Sequence, residues 1–115
     1  DTKTAARRIR DLGPSAVVIT GGHYNPTENT VVDVVHDGHD FFEITNRRVS
    51  LDTNEHTHGT GCIYSSALLA QLVTGHAIID AAQAAQRFVS SELTRRLNCS
   101  EDTWLAGFRN RRTRA

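Results

Sequence analysis

The sequence predicts an α/β fold, and three observations carry that prediction. Short runs rich in valine and isoleucine alternate with longer stretches whose apolar residues recur at helical spacing. Asp37-Gly38 stands between two such β-rich runs and marks a hairpin. The order helix–strand, strand–strand, helix–helix is that of an α/β unit with an antiparallel hairpin attached. At 115 residues and 38% hydrophobic content, the chain supports one domain and is too short for two.

Each element has its own justification. Over residues 1–12, Ala5, Ala6, Ile9 and Leu12 fall on one helical stripe, with Arg7, Arg8 and Arg10 facing away. Gly13-Pro14 ends that helix, glycine supplying the C′ position and proline barring continuation. Ala16–Ile19 is short, continuous and β-branched, the pattern of a strand buried on both faces within a parallel sheet. Thr20-Gly21-Gly22-His23 forms a tight exit loop, and residues 24–30 are turn-forming. Val31–His36 and Phe41–Thr45 are the paired strands, with His36 and His39 expected in solvent beside the turn. After a polar, irregular stretch from Arg47 to His56, a helix is expected from about Ile63 to Val73. Ala67, Leu68, Ala70, Leu72 and Val73 give it a wide apolar face, and Gly75 closes it. A longer helix covers Ile78–Leu97, with Asp80 in its first turn and Arg95 and Arg96 in its last, matching the helix dipole. Residues 98–115 are read as an extension with an amphipathic turn around Trp104, Leu105 and Phe108, then a frayed basic tail.

Composition removes several function classes. Thirteen Lys+Arg balance thirteen Asp+Glu, so no basic nucleic-acid-binding surface is implied. No apolar run approaches the roughly 20 residues of a membrane span. Two cysteines do not make a disulfide scaffold, and no signal peptide is visible, so the expectation is a reduced, cytoplasmic protein. The chain starts at Asp1 and contains no methionine, which suggests a piece of a longer protein.

The chemistry concentrates at His56-Thr57-His58-Gly59-Thr60-Gly61-Cys62, directly before a helix. Two glycines in three residues let the backbone turn sharply and approach a ligand closely. The N–H groups at the helix start then present an anion site suited to phosphate. The Lys and Ser/Thr of a Walker A loop are absent. Without a ligand, the same residues would simply be a glycine-containing helix entry. Cys62 falls in the first turn, as a base, a nucleophile or a small buried residue. His56, His58 and Cys62, with His23 as a fourth, offer a weaker metal-binding alternative; no metal ligand is assigned.

Four segments together resemble a known family: AVVITGGH (Ala16–His23), VVDVVHDG (Val31–Gly38), HTHGTGCIYSSALLAQLVTG (His56–Gly75) and AAQAAQRFV (Ala81–Val89). They look like the C-terminal half of hydroxymethylpyrimidine/phosphomethylpyrimidine kinase, a thiamine-biosynthesis enzyme of the ribokinase-like superfamily, across residues 1–97. The resemblance implies the latter part of a three-layer α/β/α sandwich and transfer of the γ-phosphoryl of ATP, with Mg2+, to the pyrimidine and then to its monophosphate. Gly59, Thr60, Gly61 and Cys62 fall on the family's anion hole, Cys62 at the position of the catalytic base. Thr20, Gly22 and His58 fall beside the ATP phosphates. Thr20 stands where the family usually has lysine, and pyridoxal kinases of the same superfamily commonly carry threonine there. A pyridoxal kinase-like enzyme is therefore the second reading, and a non-catalytic regulatory or binding remnant the third. The expected partners are ATP, a small-molecule pyrimidine, and either the family's N-terminal half or another copy in a homo-oligomer. Alone, the chain is expected to be inactive as a kinase.

Overall fold

The computed structural model describes residues 1–21, 29–49 and 59–98. Within these, the elements run α1 (Thr2–Asp11), β1 (Val17–Ile19), β2 (Thr30–His36), β3 (Phe41–Arg47), α2 (Thr60–Val73) and α3 (Ile78–Leu97). The strands form one sheet in the order β1-β2-β3, antiparallel throughout, with Val18 opposite Val35 and Asp33 opposite Ile44. The parallel arrangement expected for residues 16–19 is thus not what the described strands form. β1 instead extends the hairpin into a continuous sheet. Only Val17 of β1 is buried, while Val18 and Ile19 are half-buried.

Strand alternation assigns the two faces of the sheet. Val18, Val35, Ile44 and Phe42 share one face, where Val35, Ile44 and Ala82 of α3 form the core with Leu68, Ile78 and Ile79 packed against it. Phe41 belongs to the other face, and there α1 lies over the sheet: Lys3 Nζ is 5.7 Å and Arg7 Cζ 5.0 Å from the Phe41 ring centroid. The result is three layers, with α1 on one side of the sheet and α3 on the other. α2 packs against α3. No described helix is long and apolar enough to cross a membrane.

Three local expectations are corrected. α1 rests on the sheet through positions 3, 6, 7 and 10, one turn apart in pairs, so Ala6 is its buried residue while Ile9 and Leu12 are exposed. Arg10, expected to face away, turns inward, and its Nε is buried with no partner among the described residues. The apolar face of α2 is only partly used: Leu68 reaches the core, whereas Ala70, Leu72 and Val73 are exposed, because α3 covers one side alone. The hairpin loop spans Asp37–Asp40, as the expected strand bounds imply. Asp37 Oδ1 accepts from the N–H groups of His39 and Asp40, at 2.8 Å each, and Gly38 supplies φ +101°. His36 is not solvated. It is buried, stacks on Phe41 at 4.4 Å, and its Nδ1 accepts from the Gly38 N–H, while His39 is exposed as expected.

Candidate active site

The glycine-rich turn opens α2 three residues earlier than the apolar periodicity suggests. Gly59 is the N-cap with φ +81°, a left-handed conformation that favours glycine, and Thr60, Gly61 and Cys62 form the first turn. Ile63 donates to the Gly59 carbonyl, so the Gly61 and Cys62 N–H groups precede the first helical bond and have no carbonyl to reach within the helix. Gly61 has an ordinary helical backbone, and a Cβ built there would meet nothing within 4 Å. The conformational demand therefore falls on Gly59, and the space beside Gly61 is open.

Gly61 is also among the residues that line a cleft of about 190 Å³ between the sheet and helices α2 and α3. Thr60 and Gly61 line it together with Thr20, the residue just after β1 that the family resemblance puts near the same ligand. Val31, Val49, Val89 and Leu93 supply apolar walls, and Asp33, Tyr64 and Gln86 a polar floor. The arrangement suits a ligand with an apolar part and an anionic end, the latter against the start of α2.

Cys62 points elsewhere. It is exposed, which removes the buried, inert alternative, and it lines a shallow groove with Ile63, Ser66, Ala67 and Phe88. One helical turn thus presents Thr60 and Gly61 to the cleft and Cys62 to the adjoining groove. Gly22 and His58, and with them His23 and His56 of the metal alternative, lie outside the described residues, as do Trp104, Leu105 and Phe108.

The floor contains what sequence reasoning missed. Asp33 is buried in the middle of β2; its Oδ1 accepts from the Gly21 N–H at 2.9 Å, and its Oδ2 from Gln86 Nε2 at 3.0 Å. Gln86 Nε2 also donates to the Ile44 carbonyl at 2.9 Å, so one amide ties α3 to both β2 and β3. Burial pushes the Asp33 carboxyl above its ordinary range, and the hydrogen bonds from Gly21 and Gln86 oppose that rise. Tyr64 is buried beside it. Burial, and then the Asp33 charge, push its phenol upward, and its hydroxyl has no partner among the described residues. The available signals were an acid interrupting the run TVVDVVH and a glutamine in the alanine-rich AAQAAQ.

With this geometry in place, comparison with known proteins is specific. The phosphomethylpyrimidine kinase family model matches residues 1–105. The chain belongs to the phosphomethylpyrimidine kinase family. The hydroxymethylpyrimidine/phosphomethylpyrimidine kinase of Bacillus subtilis is 39% identical over 89 residues, which are 77% of this chain and 31% of that protein. Among solved structures, the Staphylococcus aureus pyridoxal kinase in complex with AMP-PCP and pyridoxal superposes with a TM-score of 0.70 at 33% identity, over 79% of this chain and 32% of that one. A Bacteroides thetaiotaomicron protein gives a TM-score of 0.71 at 20% identity, over 89% of this chain and 34% of that one, which speaks to the fold alone. The ribokinase-like α/β architecture expected from the resemblance is therefore the observed one. The chain spans about a third of the length of these relatives, whose names make them phosphotransferases.

Proposed function

We propose that this chain supplies the nucleotide side of a kinase that phosphorylates hydroxymethylpyrimidine and its monophosphate, with ATP as donor. The observation that carries the reading is the shared cleft. Thr20, Thr60 and Gly61, from two distant segments, line one space at the start of α2. ATP fits it by chemistry: open volume beside Gly61, N–H donors at a helix start for phosphate, and valine and leucine walls for the base.

When bound, ATP supplies the phosphoryl group with Mg2+ balancing its charge. The residues of this chain position and stabilise that charge. The Gly61 and Cys62 N–H groups hold the anionic end and Thr20 and Thr60 flank it; the family resemblance assigns Gly22 and His58 to the same phosphates. In the adjoining groove, Cys62 takes the proton of the acceptor hydroxyl as that oxygen bonds to phosphorus and ADP leaves. Donor and acceptor would thus meet across the turn formed by residues 59–62. The remaining acceptor contacts come from the rest of the family's fold or from another copy, so the chain alone binds nucleotide without turning over.

Titration calorimetry with AMP-PCP tests this. Gly61→Val should fill the open space and weaken binding at least about tenfold, whereas Cys62→Ala should leave it unchanged. Equal affinity in Gly61→Val and wild type would overturn the assignment of the cleft. A second reading is favoured by Thr20 together with the 33% identity to a pyridoxal kinase: the acceptor is pyridoxal. Saturation with AMP-PCP followed by titration with each acceptor separates the two readings, the preferred acceptor giving the tighter curve.

A further inference from the structure

The hydrogen bonds of Asp33 have a consequence for the site that neither the glycine turn nor the family resemblance assigns. A buried carboxylate is costly unless its oxygens are fully used, and in β2 the cheaper occupant of a buried position is another valine. Asp33 is only 2% exposed. Both of its oxygens are engaged, and by groups that differ in kind. Gln86 is a side chain of the scaffold, held in turn by the Ile44 carbonyl. Gly21 is the backbone of the segment leaving β1, next to Thr20.

Gly21 is also pressed against β2. A Cβ built there would collide with the Val32 carbonyl oxygen, so only glycine allows this approach. The exit of β1 is therefore clamped from two sides, by steric fit on Val32 and by a charge-assisted hydrogen bond to Asp33. Past Ile19 the strand ladder no longer restrains the segment, since β1 ends there. Among the described residues, the Asp33 hydrogen bond holds the backbone immediately beyond Thr20.

We infer that Asp33 is a positioning residue of the nucleotide site: it locks the Thr20-Gly21 backbone onto β2 and so sets Thr20 in the same cleft as Thr60 and Gly61. Gln86 completes the device by holding the carboxylate in the rotamer that reaches Gly21. Asp33 itself touches no phosphate, and its effect on the ligand passes through Gly21. The inference rests on the reading of the cleft as a nucleotide site.

Two measurements on the 115-residue chain test it: the AMP-PCP dissociation constant and the proton shift of the Gly21 amide, a direct report of its hydrogen bond. Asp33→Ala should weaken AMP-PCP about tenfold or more and move the Gly21 amide proton upfield. Val35→Ala, in the core away from the cleft, should lower the melting temperature while leaving both readings at their wild-type values. Should Asp33→Ala not fold, Asp33→Asn preserves the volume and is read in the same two ways, with the same directions expected. If wild type itself does not bind AMP-PCP, the nucleotide reading has failed and the positioning role falls with it. If wild type binds and the Asp33 variant binds equally, or the Gly21 amide does not move, the positioning role alone is overturned. If Val35→Ala weakens AMP-PCP as much as Asp33→Ala, the effect is general destabilisation and the role is again overturned.

Discussion

Asp33 and Asp37 lie four residues apart on the same strand and its turn, and they do opposite things. Asp37 is partly exposed at the turn, and the Asp40 and His39 N–H groups hold its carboxyl below the ordinary range. Asp33 is buried, and desolvation pushes its carboxyl up despite two hydrogen bonds. The turn end of the sheet is sealed: α1 lies over Phe41, His36 stacks beneath it, and Asp37 closes the loop. The other end is open to a cleft and holds a carboxylate where apolar packing would be cheaper. Polar groups shape both ends, but at the turn they relieve unsatisfied backbone donors, while at the cleft they accept a desolvation cost to hold the segment that leaves β1.

The largest effect that separates the ends is expected from their glycines. Gly21→Ala drives a methyl group into the Val32 carbonyl, a backbone atom that cannot swing aside. A loss of about 3 kcal/mol is expected, together with loss of AMP-PCP binding. Gly38→Ala meets a left-handed backbone at φ +101° and the Ser15 carbonyl at 3.0 Å. It should cost about 1–2 kcal/mol and leave nucleotide affinity intact. Denaturant unfolding and calorimetry on both variants check the pair. If Gly38→Ala abolishes binding as well, the two ends are not independent.

A smaller effect is expected in the pH dependence, where the two aspartates should have opposite signs. The native state holds the Asp33 proton more tightly than the unfolded chain does. Its contribution therefore declines as pH rises from about the ordinary value of 3.8 through its raised folded value. The Asp37 contribution is complete above 3.8 and is lost as pH falls through its lowered folded value. Tyr64, which lines the same cleft as Asp33, stays protonated throughout, since burial raises it further from this range. Melting curves of wild type, Asp33→Asn and Asp37→Asn between about pH 2 and 6 (roughly two units on either side of the ordinary aspartate value) should show the opposed slopes. Asp33→Asn should flatten the decline above 3.8 and Asp37→Asn the loss below it. The same slope in both variants would remove the distinction.

What the sequence made legible follows the same division. The turn end was visible in Asp37-Gly38 because turn chemistry is local, and the loop lies where the strand bounds put it. The helix start at Gly59-Thr60-Gly61-Cys62 was visible because two glycines before an apolar periodicity have few other uses. Asp33, Gln86 and Gly21 were not singled out, since their meaning lies in contacts across 12 and 53 positions of sequence. Periodicity also misjudged α1 and α2, because it locates an apolar stripe without saying which neighbour exists to cover it. Ile9, Leu12 and Val73 are exposed for that reason.

The smallest expected effect tests whether hydrogen bonding to a carboxylate matters by itself or only in the right surroundings. Glu92 on α3 is paired more fully than Asp33. Arg95 reaches both of its oxygens, at 2.7 and 3.0 Å, and Arg96 Nε donates to Oε1 at 3.3 Å. These contacts, the Arg95 hydrogen bond first, hold its carboxyl below the ordinary range. Its contribution is therefore present above about 4.5 and lost as pH falls through the lowered folded value. The partners are one turn away on the same helix, and the Arg95 side chain is half exposed. Water and salt replace most of what the pair supplies, so Glu92→Gln should cost about 0.5 kcal/mol. That cost should shrink when ionic strength is raised from 0.05 to 0.5 M (a Debye length falling from roughly 14 to 4 Å), and AMP-PCP affinity should not change. Asp33→Asn, with its bonds in the interior, should show no such salt dependence. A Glu92→Gln loss as large as that of Asp33→Asn, and equally insensitive to salt, would mean that the number of hydrogen bonds rather than their burial sets what a carboxylate does here.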